Sequence, residues 1–241
     1  MEQKGVQALN LYRKAGVKKS DVVYAMIPSV PEAWFTTFAA VKGGLITVPT
    51  AMTMTVRELE YRFETYAPDV VLADKVSAPL IDEALKNVGA TPKAKIILGE
   101  MDGWKSYKEA DGESVQAEAE KTSPDDIILC FFTSGTTGMA KRVAHTASSY
   151  PVGHLSTANV MGVRPGDVHN NLSQPGWAKW AWSCFFSPLN LGATTSGFHY
   201  DSKLDIKKYL ATVARCKVNT FCAPPTRSEE RRVGKECRSR W

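Results

Sequence analysis

Hydroxyl side chains and glycines are concentrated in one short stretch of the sequence, FFTSGTTGMAK, which ends at Lys141. Gly135 and Gly138 lack a Cβ, so the backbone there can take left-handed conformations and approach a ligand closely. Successive N–H groups in such a loop form a concave anion site, and the ammonium of Lys141 can neutralise phosphate oxygens. The stretch therefore predicts a phosphate-binding loop, although Ser, Thr and Gly are also common in ordinary flexible loops. The predicted loop residues are Thr133, Ser134, Gly135, Thr136, Thr137 and Gly138.

The sequence lacks the motifs of several other kinds of active site. The common ATPase loop requires GxxxxGK[ST], but the fifth residue after Gly135 is Ala140. GxGxxG after a strand, GxSxG and HExxH are absent as well, which argues against dinucleotide, serine-hydrolase and zinc-protease sites. The five cysteines have no CxxC spacing, so we predict no metal site and interpret them as reduced, buried thiols.

The predicted loop follows the apolar segment DIILCFF, which is typical of a buried parallel strand. Apolar strand-like runs and helical patterns alternate along the chain, with short, turn-rich connections. We therefore predict an α/β fold with stacked, mostly parallel sheets flanked by helices, and a ligand beyond the carboxyl ends of the strands. A polar, acidic connection near residues 100–124 is the expected seam between two subdomains.

Charge and hydropathy restrict the class of protein further. No apolar run reaches the roughly 18 residues of a membrane span, and the N-terminus lacks a signal-peptide pattern, so we expect a cytoplasmic protein. Residues 227–241 carry six basic and three acidic groups, and their sequence is similar to the translation of a sequencing adapter. Without this predicted non-native tail the net charge falls from +5 to +2, which gives no reason to expect nucleic-acid binding.

The motif TSGTTGMAK closely resembles the phosphate loop TSGTTGxPK of the AMP-forming adenylate synthetases. This superfamily includes acyl-CoA synthetases, luciferases and the adenylation domains of peptide synthetases. Thr133–Gly138 match in full, Met139 fills the variable position and Lys141 matches the lysine. Ala140 replaces the usual proline, which gives the unfolded chain more conformational freedom. The ordered loop should therefore be less stable by roughly 0.4–1 kcal/mol, but no phosphate contact is removed.

Segments downstream extend the resemblance to about residues 6–226. His145 corresponds to a histidine that acyl-CoA synthetases often carry after the loop, and it is expected to contact the nucleotide or the acyl group. Gly176 and Trp177 correspond to a Gly-Trp pair that lines the acyl pocket. These features are nearest to the medium-chain and acetate-type acyl-CoA synthetases.

The resemblance implies a ligase that activates a carboxylic acid with ATP and Mg²⁺ and transfers the acyl group to coenzyme A. Lys141 would be the catalytic residue, because it stabilises the charge on the departing pyrophosphate. The family's Mg²⁺-binding acid, its ribose-binding aspartate and its C-terminal lid are expected beyond Thr226. We therefore expect residues 1–226 to be part of a larger N-terminal domain that catalyses little by itself.

Two alternatives and one structural question stay open at this stage. The same chemistry could load a carrier protein instead of coenzyme A, or the chain could bind ATP without catalysis. Trp180 could line the acyl pocket, but an aromatic helix more often belongs to a core. By helical spacing, Trp177, Ala181 and Cys184 could share one face of that helix.

Overall fold

Seven strands form the main sheet, in the order β5-β4-β3-β1-β2-β6-β7. In this computed structural model, which describes residues 1–133, 139–200 and 204–223, every neighbouring pair is parallel except β6 and β7, which form an antiparallel pair. The strands are β1 (Val22–Met26), β2 (Ile46–Pro49), β3 (Val70–Asp74), β4 (Ala94–Leu98), β5 (Lys105–Ser106), β6 (Ile127–Thr133) and β7 (Lys141–Thr146). The central strands are buried, apolar runs, as expected for a sheet covered on both faces.

Helices cover both faces of this sheet. Helices α1 (Glu2–Lys14) and α2 (Pro31–Lys42) pack together on one face, and α3 (Val56–Thr65) and α4 (Ala78–Val88) pack together on the other. Each face has its own apolar core, with Leu9, Leu72 and Phe131 in the first and Tyr24, Leu59 and Phe63 in the second. The alternating sequence pattern thus produces three layers.

Local signals fix the ends of the helices on the second face. The hydroxyl of Thr55 accepts a hydrogen bond from the Glu58 N–H, and the Glu58 carboxylate accepts one from the Thr55 N–H, so α3 begins with a complete capping box. Helix α4 ends at Val88 and is capped by Gly89, whose φ of 69° is left-handed and favours glycine. The start of α3 is therefore held firmly, and this helix borders the site described below.

A second sheet of three parallel strands follows β7 and α5 (Ser149–Val160). Its order is β10-β8-β9, with β8 (Val168–Asn171), β9 (Thr194–Ser196) and β10 (Thr220–Cys222). Between β8 and β9 lie α6 (Ala178–Trp180), a π-helix (Ala181–Phe186) and α7 (Ser187–Asn190), and α8 (Ile206–Arg215) precedes β10. The sequence pattern predicts a single helix over residues 177–190; the observed helix begins at Ala178 and has a π-helical centre.

The α/β fold with two mostly parallel sheets is confirmed. The polar connection near residues 100–124 does not interrupt the main sheet, because β6 on its far side pairs with β2 on its near side. Its backbone carbonyls accept hydrogen bonds from side chains of α1, such as Asn10 and Arg13. A division into subdomains there stays a prediction, and the predicted tail, residues 227–241, lies outside the described residues.

None of the helices in the described residues is both long and apolar enough to cross a bilayer.

Candidate functional site

A cleft of about 270 Å³ lies at the carboxyl ends of β2 and β6, the edge where parallel sheets bind ligands. Its walls come from four parts of the chain: the end of β2 and the residues after it, helix α3, the end of β6, and the loop before α6. The cleft residues are Pro49, Ala51, Met54, Arg62, Phe131, Phe132, Thr133, Gly176, Trp177 and Ala178. The cleft thus brings the start of the predicted phosphate loop beside the predicted acyl-binding pair.

Strands β6 and β7 hold the two ends of the predicted phosphate loop together. Thr133, the last residue of β6, pairs with Lys141, the first residue of β7. The Thr133 hydroxyl also donates a 3.4 Å hydrogen bond to the Lys141 carbonyl, and both side chains are exposed. The loop is therefore the connection of a β-hairpin, with Lys141 fixed at its base. The other predicted loop residues, 134–138, lie outside the described part of the chain.

Gly176 and Trp177 have different structural roles in the cleft. A Cβ built on Gly176 would lie 2.3 Å from the Cα of Ala51 and 2.5 Å from the carbonyl carbon of Thr50, so only glycine fits against this backbone. This contact fixes the loop before α6 onto the end of β2. Trp177 follows with 58% of its surface exposed, so its indole is free to contact a ligand in the cleft.

His145 does not line the cleft. It lies on β7 opposite Leu129, half-buried, with its ring 4.7 Å from the ring of Tyr150 and 5.7 Å from that of Phe131. Burial lowers the pKa of this imidazole below its usual value, which favours the neutral form. Tyr150 connects it to the cleft, because the Tyr150 hydroxyl donates a 3.5 Å hydrogen bond to the carbonyl of Ala178.

Helix α3 contributes residues to the site that the sequence reasoning did not identify. The Tyr61 hydroxyl donates a 3.0 Å hydrogen bond to the carbonyl of Ala140, the residue before Lys141. Arg62 lines the cleft, and its guanidinium lies 4.8 Å from the centre of the Phe132 ring. The sequence gave only a weak signal for Tyr61 and Arg62, because α3 has the pattern of an ordinary amphipathic helix. Their partners on and beside β6 and β7 lie about 70–80 positions later in the sequence.

The aromatic segment after Trp177 is core rather than pocket. Trp180 is 3% exposed, and its ring lies 5.0 Å from that of Trp34 on α2. Ala181 and Cys184 are buried in the same core, whereas Trp177 is exposed and only caps the start of α6. The predicted shared face for these three residues is therefore wrong, because Trp177 precedes the helix.

The cysteines of the described residues are all free thiols. Cys130 and Cys184 are buried, as predicted, whereas Cys216 and Cys222 are half-buried, and Cys237 lies outside the described residues. Burial raises the pKa of the Cys130 and Cys184 thiols, so neither is an activated nucleophile.

Comparison with known proteins identifies the family. The sequence profile described as AMP-binding enzyme matches residues 8–229. The chain belongs to this family. The resemblance drawn from TSGTTGMAK is thereby confirmed.

Its curated relatives are named as acyl-CoA ligases. The chain is 47% identical over 221 residues to 4-hydroxybutyrate–CoA ligase 1 of Metallosphaera sedula, covering 91% of the chain and 38% of the relative. It is 34% identical over 218 residues to the uncharacterized acyl–CoA ligase YtcI of Bacillus subtilis, covering 88% and 39%. Identity to the human mitochondrial acyl-coenzyme A synthetase ACSM3 is 30% over 220 residues, covering 90% and 37%. The chain thus spans less than two-fifths of the length of these relatives.

Solved structures share the fold. The anthranilate CoA ligase AuaEII, solved in complex with anthranoyl-AMP, superposes with a TM-score of 0.83 at 23% identity, covering 91% of this chain and 43% of that one. An acyl-CoA synthetase of Brucella canis superposes with a TM-score of 0.79 at 24% identity, covering 93% and 41%. At these identities the likeness establishes the fold of the adenylate-forming enzymes and nothing finer.

Proposed function

We propose that this chain is part of an AMP-forming acyl-CoA ligase and forms one side of its adenylation site. One observation carries the proposal: a single cleft is lined by Thr133, at the start of the predicted phosphate loop, and by the Gly176–Trp177 pair. A nucleotide held by the loop and an acid held against Trp177 would therefore meet in the same place. The names of the relatives support the same reaction class.

The proposed reaction has two steps. A carboxylate oxygen of the acid attacks the α-phosphorus of ATP, and the bond to the departing pyrophosphate breaks, which leaves an acyl-adenylate. The thiolate of coenzyme A then attacks the acyl carbon, and AMP leaves with the electrons of the broken acyl–oxygen bond. Both substrates of the first step are anions, so positive charge and N–H donors at the cleft favour their approach.

Two residues of this chain act on the phosphates in the proposal. Lys141 lies exposed at the base of the hairpin and would neutralise charge on the departing pyrophosphate. Thr133 would present its hydroxyl at the mouth of the cleft, beside the loop residues 134–138 that are expected to hold the phosphates. His145 would act indirectly, through Tyr150, which contacts its ring and donates a hydrogen bond to the Ala178 carbonyl.

The acid is proposed to be short. The first candidate is 4-hydroxybutyrate, the acid named for the relative that shares 47% identity. Trp177 would cover the aliphatic part of such an acid.

Mg²⁺ stays an expectation from the family resemblance. In the described residues no three carboxylate, imidazole or thiol groups come together as a metal site, so no step is assigned to the ion. A cytoplasmic location also stays a proposal, supported by the free thiols of the described cysteines.

The test uses a full-length protein that contains this chain. With ATP and 4-hydroxybutyrate it should release pyrophosphate only when the acid is present, and it should form a thioester when coenzyme A is added. Lys141→Ala should lower the rate by about 10²–10³-fold, as for the loss of one preorganised electrostatic group. The exposed Lys207→Ala, on α8, is the matched control and should leave the rate unchanged.

Each alternative gives a different result. Acid-dependent pyrophosphate release with transfer to a carrier protein, but not to coenzyme A, would favour the carrier-loading reaction. ATP binding without pyrophosphate release, over a series of short acids, would reject a catalytic role. Equal rates for the wild type and Lys141→Ala would reject the role of Lys141.

A further inference from the structure

Arg62 is a buried cation in an unusual position. It lies near the end of α3 and is only 7% exposed. Its carbonyl accepts hydrogen bonds from the Tyr24 hydroxyl at 3.1 Å and from the Tyr66 N–H at 2.8 Å. The guanidinium lies over the Phe132 ring at 4.8 Å. The side chain is thus held in one place by the packing around it.

The guanidinium has no counter-ion in the described part of the chain. No carboxylate there forms an ion pair with it, and it donates no hydrogen bond to a described residue. The acid one turn earlier on α3, Glu58, is committed to the helix cap, where it accepts hydrogen bonds of 2.8 and 2.7 Å from Thr55. Burial is the largest influence on the pKa of Arg62 and lowers it, whereas Tyr24 and Glu58 act in the opposite direction.

A buried charge without a partner is unfavourable, and a guanidinium has five N–H donors to satisfy. The aromatic contact with Phe132 stabilises the cation but accepts none of these hydrogen bonds as a carboxylate would. A site for an anion is therefore expected next to it. Arg62 lines the cleft that it shares with Thr133 and Trp177, which offers such a site.

Arg62 is also the one charged residue among the ten that line this cleft, and most of the others are apolar. Apolar walls exclude water and strengthen the interaction between a fixed charge and an incoming anion. The planar guanidinium fork matches two oxygens of a carboxylate or a phosphoryl group.

We propose that Arg62 is an anion-binding residue of the cleft, donating hydrogen bonds to carboxylate or phosphoryl oxygens of the ligand. This inference rests on the proposed function for the identity of the ligand, since the acid and ATP each carry such oxygens. It assigns to helix α3, which carries no part of the phosphate-loop motif, a direct role in substrate binding.

The test compares Arg62→Met with Arg57→Met in the full-length protein. Both substitutions remove an arginine from α3, but Arg57 is exposed. Calorimetric titration with sodium butyrate probes carboxylate binding, and titration with inorganic pyrophosphate probes phosphoryl binding. We expect Arg62→Met to weaken at least one of these at least ten-fold, Arg62→Lys to weaken it less, and Arg57→Met to change neither.

The melting temperature separates binding from a structural role. Since methionine replaces a buried, unpaired charge with an apolar group, Arg62→Met should be as stable as the wild type or more stable. Loss of butyrate affinity alone would assign Arg62 to the acid, and loss of pyrophosphate affinity alone would assign it to the nucleotide.

Three results would overturn the inference: unchanged affinity for both probes, a fall in melting temperature that alone accounts for lost binding, or a wild type that binds neither probe. Probe binding does not require turnover. A protein that binds anions through Arg62 but forms no acyl-adenylate would reject the proposed function and retain this inference.

Discussion

At the scale of single residues, the site depends on close backbone contact as much as on charge. Gly176 carries no functional group, yet it fixes Trp177 beside Thr133 by packing directly on the backbone of Thr50 and Ala51. The resemblance marked Gly176 as a pocket residue, but the sequence could not show why glycine is needed. The partner backbone lies about 125 positions earlier, and its approach becomes visible only in three dimensions.

Gly176→Ala should destabilise the protein and disturb acid binding. The added Cβ would meet backbone atoms at 2.3–2.5 Å, and backbone cannot move aside as easily as a flexible side chain. Overpacking of this kind typically costs about 1–3 kcal/mol. Thermal unfolding should show a lower melting temperature, and the KM for the acid should rise more than the KM for ATP.

The control for this substitution is Gly153→Ala on α5, where a Cβ meets nothing within 4 Å. Alanine in a helix interior is favoured over glycine by roughly 0.5–1 kcal/mol, so this variant should be slightly more stable. Equal melting temperatures for the two variants would contradict the argument from Gly176.

At the scale of elements, α3 and the β6–β7 hairpin form one unit. Tyr61 holds the Ala140 carbonyl, Arg62 lies over Phe132, and the Arg142 guanidinium lies 4.3 Å from the centre of the Tyr66 ring. The capping box of α3 was readable in the sequence as TVRE, and the hairpin base follows from the position of the motif. Their contact was not readable, because parallel-sheet topology decides which helix lies beside which strand.

Tyr61→Phe should slow adenylate formation. The lost hydrogen bond is worth about 1 kcal/mol, or roughly a five-fold change in rate if the bond orders the loop that carries Lys141. Ala140→Pro in the same background should restore part of the rate, because proline limits the conformations of the loop. Single-turnover formation of acyl-adenylate is the measurement.

Tyr66→Phe is the matched control, because the Tyr66 hydroxyl makes no hydrogen bond to a described residue. It keeps the ring beneath Arg142 and should retain the wild-type rate. The proposed anchoring by Tyr61 is refuted if both phenylalanine variants match the wild type.

At the scale of the whole molecule, the fold was more predictable than the site. Continuous apolar strands, Pro31 at the start of α2 and Gly89 after α4 fixed the α/β alternation locally. The π-helix at Ala181–Phe186 was not predictable from spacing. It packs against β8, where Nε2 of His169 lies 3.1 Å from the Ser183 hydroxyl. Contacts between residues far apart in the sequence, such as Trp180 with Trp34, decide which aromatic residues are buried.

The stability of the molecule should fall as the pH is lowered from 7 to 5. Burial lowers the pKa of His145, His154 and His169, so the unfolded chain, with a histidine pKa of about 6.5, takes up protons before the folded one does. The histidine contribution is therefore complete above about pH 6.5 and declines as the pH falls toward the folded pKa values.

Melting temperatures between pH 8 and pH 5 test this dependence, since most carboxylates titrate below this window. His169→Asn should flatten part of the slope, because His169 is fully buried. A melting temperature that stays constant or rises toward pH 5 would show that the histidines are not buried in the neutral form.

The central claim is that Thr133 and the Gly176–Trp177 pair border one ligand. A crystal structure of the full-length protein with a non-hydrolysable acyl-adenylate analogue tests it most directly. We predict that the phosphate mimic lies within hydrogen-bond distance of the Thr133 hydroxyl or the adjoining loop, with the acyl group against Trp177. An analogue bound with its acyl group away from Trp177, or outside the cleft altogether, would contradict the account.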